Sequence, residues 1–280
     1  MSGSQEPVLP NFLIVGFMKC GTASLASYLG EHTDIFMARG EIHFFSDKRK
    51  WEAGKEWYSQ FFRECNQEKM IGERTPAYTQ RPDANPPVPE RIKLLLPCVK
   101  LTWCMRDPVD RAYSHYWHFV RTGRESLSFE KALEKRQEPG TKPWCNYREG
   151  GIYINQIKLY LRYFPIEQMF FVILEEMKRN PHQVVQRLFE FLGVDPSLKV
   201  KGIGIIRNQG GMSRSKLTQM AVNRIFGERR NQFRKLIQKI NTRSGYPPMN
   251  PTTRKALEEF YRPCNEELAK LTGINISDWQ

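Results

Sequence analysis

A glycine-containing stretch near the amino end carries residue types that suit anion binding: Gly16, Lys19, Gly21 and Thr22. The apolar run 12–15 before it is typical of a buried parallel strand, and a helical pattern begins at Thr22 and ends before Gly30. Such a turn directs backbone N–H groups and the positive end of the helix dipole to one point, where Lys19 adds a full charge. The pattern predicts a phosphate or sulfate site. Its alternative is a tight turn with an incidental surface lysine.

A carboxylate and an imidazole follow the next predicted strand, which begins at Ile35. Glu41 and His43 are two residues apart, so on an extended chain they would share one face, with the aromatic pair 44–45 packed behind them. A carboxylate beside apolar aromatic rings tends towards a raised pKa, which suits a general base. The alternative is an edge strand with two solvated polar residues.

Arg106 and Ser114 form a third candidate pair. The run 100–105 predicts a strand, and Asp107 with Pro108 predicts a helix start directly after it. Arg106 would therefore lie at the carboxyl end of a strand, where open α/β sheets bind ligands. A guanidinium fork and a hydroxyl two turns into the helix together suit a phosphate.

A glycine-rich basic segment, 202–216, follows much later and contains Arg214 and Lys216. This pattern predicts a mobile loop that closes over a bound anion. The basic run 214–243 that begins there is either a solvated helical face or a wall that faces an anionic substrate.

The bulk composition bounds the partners and the location. The 280 residues carry a formal net charge of +13, which favours anionic partners. The six cysteines are scattered without a C-x-x-C pair, so we expect reduced thiols. The amino end lacks a signal-peptide pattern, and no run approaches the roughly 18 apolar residues of a membrane span. We therefore expect a cytoplasmic protein without a membrane span.

The alternation of predicted strands and helices indicates an α/β fold with a central parallel sheet covered by helices on both sides. We expect one P-loop-like, three-layer domain over residues 1–280. Residues 11–200 would form the core with the cofactor site. Residues 201–280 would hold the late loop and the C-terminal helices, of which 252–271 is the last.

Three ordered motifs resemble sulfotransferases that use 3′-phosphoadenosine 5′-phosphosulfate (PAPS): Lys19-Cys-Gly-Thr22, Glu41-Ile-His-Phe-Phe45 and Arg106-Asp-Pro-x-x-Arg111-Ala-x-Ser114. The chain is most similar to the branch of heparan sulfate glucosaminyl 3-O-sulfotransferases and their bacterial relatives. Further stretches share this similarity: Thr75-Pro-Ala-Tyr78, Val88-Pro-Glu-Arg-Ile92, Gly151-Ile-Tyr153 and Tyr163-Phe-Pro165. The similarity runs from about Asn11 to Val194 and is weaker in the tail.

The resemblance implies an O-sulfotransferase that moves a sulfuryl group from PAPS to a hydroxyl and leaves 3′-phosphoadenosine 5′-phosphate (PAP), without a metal ion. Glu41 would be the base, with His43 beside the reacting centre, and Lys19 would stabilise the leaving phosphate. The 5′-phosphosulfate would be held by the loop residues Lys19, Cys20, Gly21, Thr22, Ala23 and Ser24. Arg106 and Ser114 would hold the 3′-phosphate, and Arg214 with Lys216 would reach the cofactor from the late loop.

The chain also departs from the heparan branch. Ala23 stands in place of an arginine, Ser46 in place of an aspartate and Arg74 in place of a lysine, and the C-terminal cysteine pair is absent. The acceptor therefore stays open: a hydroxyl-bearing glycan, lipid or other small molecule. Oligomeric state is open as well.

Two other functions fit parts of the pattern. A P-loop-type kinase would explain the first loop and the sheet, but there the lysine directly follows the second glycine, whereas Lys19 precedes Gly21. A nucleic-acid or membrane-surface binder would explain the basic run 214–243, which contains no recognisable nucleic-acid-reading motif. We therefore expect no nucleic-acid partner.

Overall fold

The computed structural model describes residues 7–80, 84–135, 146–205, 211–213, 237 and 242–279. The chain forms two compact units. The first unit comprises Met1–Asp107, Tyr153–Arg207 and Cys264–Gln280, and the second comprises Pro108–Ile152 and Asn208–Pro263.

The described residues form strands and helices in the following order along the chain. The strands are β1 (Phe12–Gly16), β2 (Ile35–Met37), β3 (Met70–Arg74), β4 (Lys100–Met105), β5 (Met169–Ile173), β6 (Gly211–Ser213) and β7 (Thr242–Ser244). The helices are α1 (Thr22–Leu29), α2 (Lys48–Glu52), α3 (Gly54–Ser59), α4 (Val88–Leu95), α5 (Pro108–Thr122), α6 (Phe129–Lys135), α7 (Tyr153–Leu161), α8 (Leu174–Arg179), α9 (Pro181–Leu192) and α10 (Pro251–Thr272).

The first unit is built on a five-stranded parallel sheet with the order β2-β3-β1-β4-β5. Every residue of β1 is buried, as its apolar sequence predicts for a central strand of a parallel sheet. Phe12 pairs with Gly72 of β3 and with Lys100 of β4. A side chain at Gly72 would collide with the Phe12 ring, since an added Cβ would lie 2.2 Å from its Cζ. The central strand therefore sits between two strands whose carboxyl ends carry candidate site residues.

Helices flank this sheet and have the ends that the sequence predicts. α1 ends at Gly30, and α9 ends at Gly193, which has a φ of 82°. α9 buries Val184, Leu188 and Leu192 on one face. The expected α/β class, with a parallel sheet, flanking helices and a C-terminal helix, is confirmed.

The second unit has its own core, in which α5, α6 and the first part of α10 bury aromatic rings: Tyr116, Trp117, Phe129, Tyr147 and Tyr261. Strands β6 and β7 pair antiparallel in this unit. Gly151 meets the core closely, because an added Cβ would lie 2.8 Å from the Tyr261 hydroxyl.

One local expectation was wrong. The segment 41–45 is not extended, because His43 has a φ of 61° and a turn begins at residue 44. The expectation that Glu41 and His43 share a strand face therefore fails.

Candidate active site

The site is organised by the carboxyl edge of the parallel sheet. Strands β2, β3, β1 and β4 are consecutive neighbours, so the segments that leave them lie side by side at one edge. Glu41 follows β2, Arg74 ends β3, Lys19 follows β1 and Arg106 follows β4. Residues far apart in the sequence are therefore brought to one sheet edge by strand order.

The loop between β1 and α1 is anchored on both sides. The Phe17 N–H donates to the Cys104 carbonyl at 2.6 Å, and the Cys20 N–H donates to the Phe17 carbonyl at 3.3 Å. The Phe17 ring packs on Tyr153, with ring centroids 4.4 Å apart. Lys19 adopts a positive φ of 72°, which turns the chain back towards α1. The loop is thus a built turn with Lys19 at its bend.

Gly21 leaves the start of α1 open to an anion. Its φ is 85°, and an added Cβ would lie 2.7 Å from Leu174 Cδ1, so this position accepts only glycine without strain. Glycine provides no side-chain cap, and the first N–H groups of a helix have no acceptor within the helix. Together with Lys19, these N–H groups suit a phosphate or phosphosulfate. Around them, Thr22 and Ser24 are buried and Ala23 is half-buried.

Cys20 and Tyr153 link the loop to the end of β4. The Cys20 thiol is buried and lies 3.6 Å from the Tyr153 hydroxyl. The same hydroxyl donates to the Arg106 carbonyl at 2.8 Å. In the sequence, Tyr153 was named only within a stretch that resembles the heparan branch, and a tyrosine there gives no signal of a distant backbone partner. All five cysteines that the structure describes are thiols rather than disulfides.

Glu41 forms a cluster with Arg74 and His43. Arg74 donates to Glu41 Oε1 at 2.6 Å, and His43 Nε2 lies 3.5 Å from Glu41 Oε2. The Glu41 side chain is 37% exposed, whereas Phe44 and Phe45 are buried and stack among aromatic rings of α2 and α3. The expected apolar surroundings of the carboxylate are therefore replaced by an arginine and a histidine. Arg74 was noted in the sequence only as a departure from a family pattern.

Burial lowers the pKa of His43 below its ordinary value of 6.5, against the opposing effect of the Glu41 carboxylate. Lys50 and Arg74 lower the pKa further, and Asp47 raises it. His43 Nδ1 lies 3.5 Å from the Ser46 hydroxyl. The imidazole is therefore neutral at neutral pH and can exchange a proton with a neighbouring group.

Arg106 lies directly after β4 and is largely buried, with 18% of its side chain exposed. Its Nε lies 4.0 Å from Glu175 Oε1, and the N–H of Asp107 donates to the same carboxylate oxygen at 3.4 Å. Glu175, on α8, was missed in the sequence because a charged residue in the first turn of a helix is ordinarily a helix-dipole partner.

Ser114 belongs to the second unit, where it lies on the buried face of α5. Its hydroxyl lies 3.3 Å from the Tyr246 hydroxyl. Arg214 and Lys216, together with most of the expected late loop and basic run, lie outside the described residues. The roles assigned to these three residues stay predictions.

One family matches nearly the whole chain. The family model described as "Sulfotransferase domain" matches residues 9–273. The chain belongs to the sulfotransferase family. The resemblance found in the sequence motifs is therefore confirmed, and the match spans both compact units.

Similar sequences include human proteins named as heparan sulfate glucosamine 3-O-sulfotransferases. Human heparan sulfate glucosamine 3-O-sulfotransferase 3B1 is 28% identical over 97% of this chain and 65% of the relative. Human heparan sulfate glucosamine 3-O-sulfotransferase 3A1 is 28% identical over 97% of this chain and 62% of the relative. The chain thus spans slightly less than two thirds of the length of these relatives.

Solved sulfotransferase structures share the fold. A sulfotransferase from Alicyclobacillus acidocaldarius superposes with a TM-score of 0.72 and 28% identity, covering 97% of this chain and 99% of that chain. Mouse sulfotransferase SULT7A1, complexed with PAP, gives a TM-score of 0.54 at 16% identity, covering 94% and 87%. This family membership does not favour the kinase or the nucleic-acid-binding alternative.

Two absences concern only the part of the chain that the structure describes. Within it, no three His, Cys, Asp or Glu side chains are grouped so that they could hold a metal ion. Within the same residues, no helix combines the length and apolar character of a membrane span. The metal-free reaction and the cytoplasmic location stay predictions.

Proposed function

We propose that this protein is an O-sulfotransferase that moves a sulfuryl group from PAPS to the hydroxyl of a glycan, lipid or other small molecule. One observation carries the proposal. In a chain of the sulfotransferase family, an open helix start with Lys19 and the Glu41–Arg74–His43 cluster leave neighbouring strands at the same sheet edge.

The donor end of the site consists of the loop before α1. PAPS, when bound, supplies a sulfuryl group on a phosphate leaving group. Lys19 and the N–H groups of residues 21–23 would bind the 5′-phosphosulfate and offset the charge that grows on the leaving phosphate. Arg106 would bind the 3′-phosphate. The residues fit this anion because the helix start is open and cationic.

The acceptor end consists of the Glu41 cluster. Glu41 would take the proton of the acceptor hydroxyl as the oxygen attacks sulfur in line with the leaving phosphate. Arg74 holds Oε1 at 2.6 Å, so Oε2 is the oxygen that we expect to receive the proton. Neutral His43, 3.5 Å from Oε2, is the second candidate base.

The acceptor is defined by class only. The curated relatives act on glucosamine units of heparan sulfate according to their names. This chain carries Ala23, Ser46 and Arg74 at positions where that branch has other residues, so we extend the proposal to hydroxyl-bearing glycans and small molecules in general.

Nucleotide binding tests the donor assignment directly. We expect calorimetry on the full chain to show tighter binding of PAP than of adenosine 5′-phosphate, since the second phosphate adds a charged contact. Lys19→Ala should weaken PAP binding by about tenfold or more, because a charge-assisted contact is lost. Lys93→Ala is the matched control, since Lys93 donates to the Pro97 carbonyl before β4, at the opposite sheet edge.

Turnover tests the reaction itself. With PAPS and a panel of hydroxyl-bearing acceptors, we expect mass spectrometry to detect products that have gained one sulfo group. In the calorimetry experiment, equal affinity for PAP and adenosine 5′-phosphate would show that this protein is not a PAPS-dependent sulfotransferase.

A further inference from the structure

A fully buried carboxylate lies beside Arg74 in β3. Glu73 has no solvent exposure, and both of its oxygens accept hydrogen bonds from hydroxyl groups. Tyr58 and Tyr78 donate to Oε1 at 2.7 and 2.5 Å, and Thr75 donates to Oε2 at 2.8 Å. A carboxylate this deep is tolerated only with such partners, and apolar residues would fill the same space without this requirement. Its presence therefore calls for a reason beyond packing.

Burial determines the direction of these hydrogen bonds. It raises the pKa of Tyr58 and of Tyr78 well above the ordinary value, so both phenols keep their protons and donate. Burial also raises the pKa of the Glu73 carboxyl, and the bonds from the three hydroxyls only reduce that rise. The geometry itself makes Glu73 the acceptor for three hydroxyl groups, two at Oε1 and one at Oε2.

The Thr75 hydroxyl connects Glu73 of β3 to the neighbouring segment 41–43. A threonine hydroxyl has one proton, and here that proton is donated to Glu73. The oxygen is left to accept, and it receives the N–H of Ile42 at 3.2 Å and the N–H of His43 at 3.3 Å. The Thr75 backbone is itself fixed, because its N–H donates to the Ile14 carbonyl of β1 at 3.1 Å.

The segment 41–43 needs such support. His43 has a φ of 61°, a left-handed conformation that costs a non-glycine residue free energy and persists only where its surroundings hold it. The carbonyls are held as well, since Lys50 donates to the Ile42 carbonyl at 2.6 Å and the Asp47 N–H donates to the His43 carbonyl at 3.0 Å. In this conformation the imidazole lies 3.5 Å from the Glu41 carboxylate.

We propose that Thr75, oriented by Glu73, is a positioning residue that holds the segment 41–43 so that Glu41 and His43 face each other. The inference rests on the proposed function, because it explains how the proposed base Glu41 is placed. Thr75 does not touch the reacting atoms and acts through the two backbone N–H groups.

Thr75→Val tests the proposal, since it keeps the shape and removes the hydroxyl. We expect kcat to fall by up to about 100-fold, with PAP affinity unchanged, because the base is displaced while the donor loop is not. Thr75→Ser retains the hydroxyl and should restore kcat. Thr102→Val is the matched control. Its hydroxyl is buried on β4 and has no hydrogen-bond partner among the described residues, so we expect wild-type kcat.

Amide hydrogen exchange gives a readout that does not depend on turnover. In Thr75→Val we expect the amides of Ile42 and His43 to exchange faster than in the wild type, while the amides of β1 keep their protection. Thr75→Ser should preserve slow exchange. Exchange rates test the positioning role even if the wild type transfers no sulfuryl group. A failure of the proposed function can therefore be distinguished from a failure of the positioning role.

Three outcomes would overturn the proposal. One is wild-type kcat in Thr75→Val. Another is unchanged exchange of the two amides in that variant. The third is a parallel loss of kcat, PAP affinity and thermal stability that Thr75→Ser does not reverse, since that pattern describes a purely structural residue.

Discussion

The two carboxylate oxygens of Glu41 have different partners: the Arg74 guanidinium and the His43 imidazole. Arg74 holds Oε1 at 2.6 Å, whereas Oε2 lies 3.5 Å from the His43 imidazole. With 37% of the side chain exposed, the carboxylate is accessible to an acceptor from solvent. The arrangement orients one oxygen for proton transfer while the other is fixed.

Glu41→Gln should abolish most turnover and leave PAP binding intact. The amide keeps the shape but cannot take a proton at neutral pH, so we expect kcat to fall by about 100-fold or more. Steady-state kinetics and calorimetry measure the two effects. Glu64→Gln is the control, since Glu64 is exposed and lies 3.6 Å from Arg39. Retained turnover in Glu41→Gln would transfer the role of base to His43.

His43 should make the folded protein less stable in acid. Because burial lowers its pKa below 6.5, the unfolded chain takes up this proton at a higher pH than the folded protein does. The contribution of neutral His43 is fully present above pH 6.5 and is lost as the pH falls through the lower, folded pKa. As the pH is lowered from about 8 to about 5, the melting temperature should therefore fall more in the wild type than in His43→Gln. Parallel curves would contradict the shift.

At the scale of elements, the loop–α1 junction depends on a close approach between loop and helix. Gly21 combines a positive φ with contact to α8, where Leu174 and Met177 leave no room for a Cβ. The same packing that excludes a side chain brings the open helix start against the sheet edge. Steric fit and anion binding are therefore coupled at one residue.

Gly21→Ala should destabilise the protein and weaken PAP binding together. The φ of 85° costs alanine about 1 kcal/mol, and the clash with Leu174 adds about 1–3 kcal/mol. Gly273→Ala separates the two causes, because Gly273 has a φ of 70° but nothing within 4 Å of an added Cβ. Chemical denaturation should show the smaller loss there, with PAP affinity unchanged. Equal losses in both variants would show that packing against α8 contributes nothing.

At the scale of the whole molecule, the charge of +13 creates a field that attracts polyanionic ligands. This field is long-ranged only at low ionic strength, since the screening length is about 10 Å at 0.1 M salt. The family match over residues 9–273 spans both compact units.

PAP affinity should fall as salt rises from about 0.01 M to about 0.15 M. Adenosine 5′-phosphate, which has fewer charges, should lose affinity less steeply, and calorimetry at matched temperature measures both slopes. Affinities that do not depend on salt would show that binding relies on short-range contacts alone.

Local sequence patterns encode the individual elements around the site. Residues 12–30 hold strand, turn and helix in consecutive positions, so the pattern of apolar residues and glycines predicted these three elements correctly. The carboxyl-end position of Arg106 followed from the same kind of local pattern. Family motifs added the candidate roles of Glu41 and His43, which no propensity alone distinguishes from solvated residues.

Which side chains meet in the site depends on contacts between segments that are far apart in the sequence. The pairing of Glu41 with Arg74 depends on β2 lying next to β3, and strand order is set by long-range packing rather than by local sequence. The same holds for Tyr153 at Arg106 and for Thr75 at the amides of Ile42 and His43. The left-handed conformation of His43 was not predicted from the sequence, because the extended form is intrinsically favoured. Hydrogen bonds with Thr75 and Asp47 hold the observed conformation.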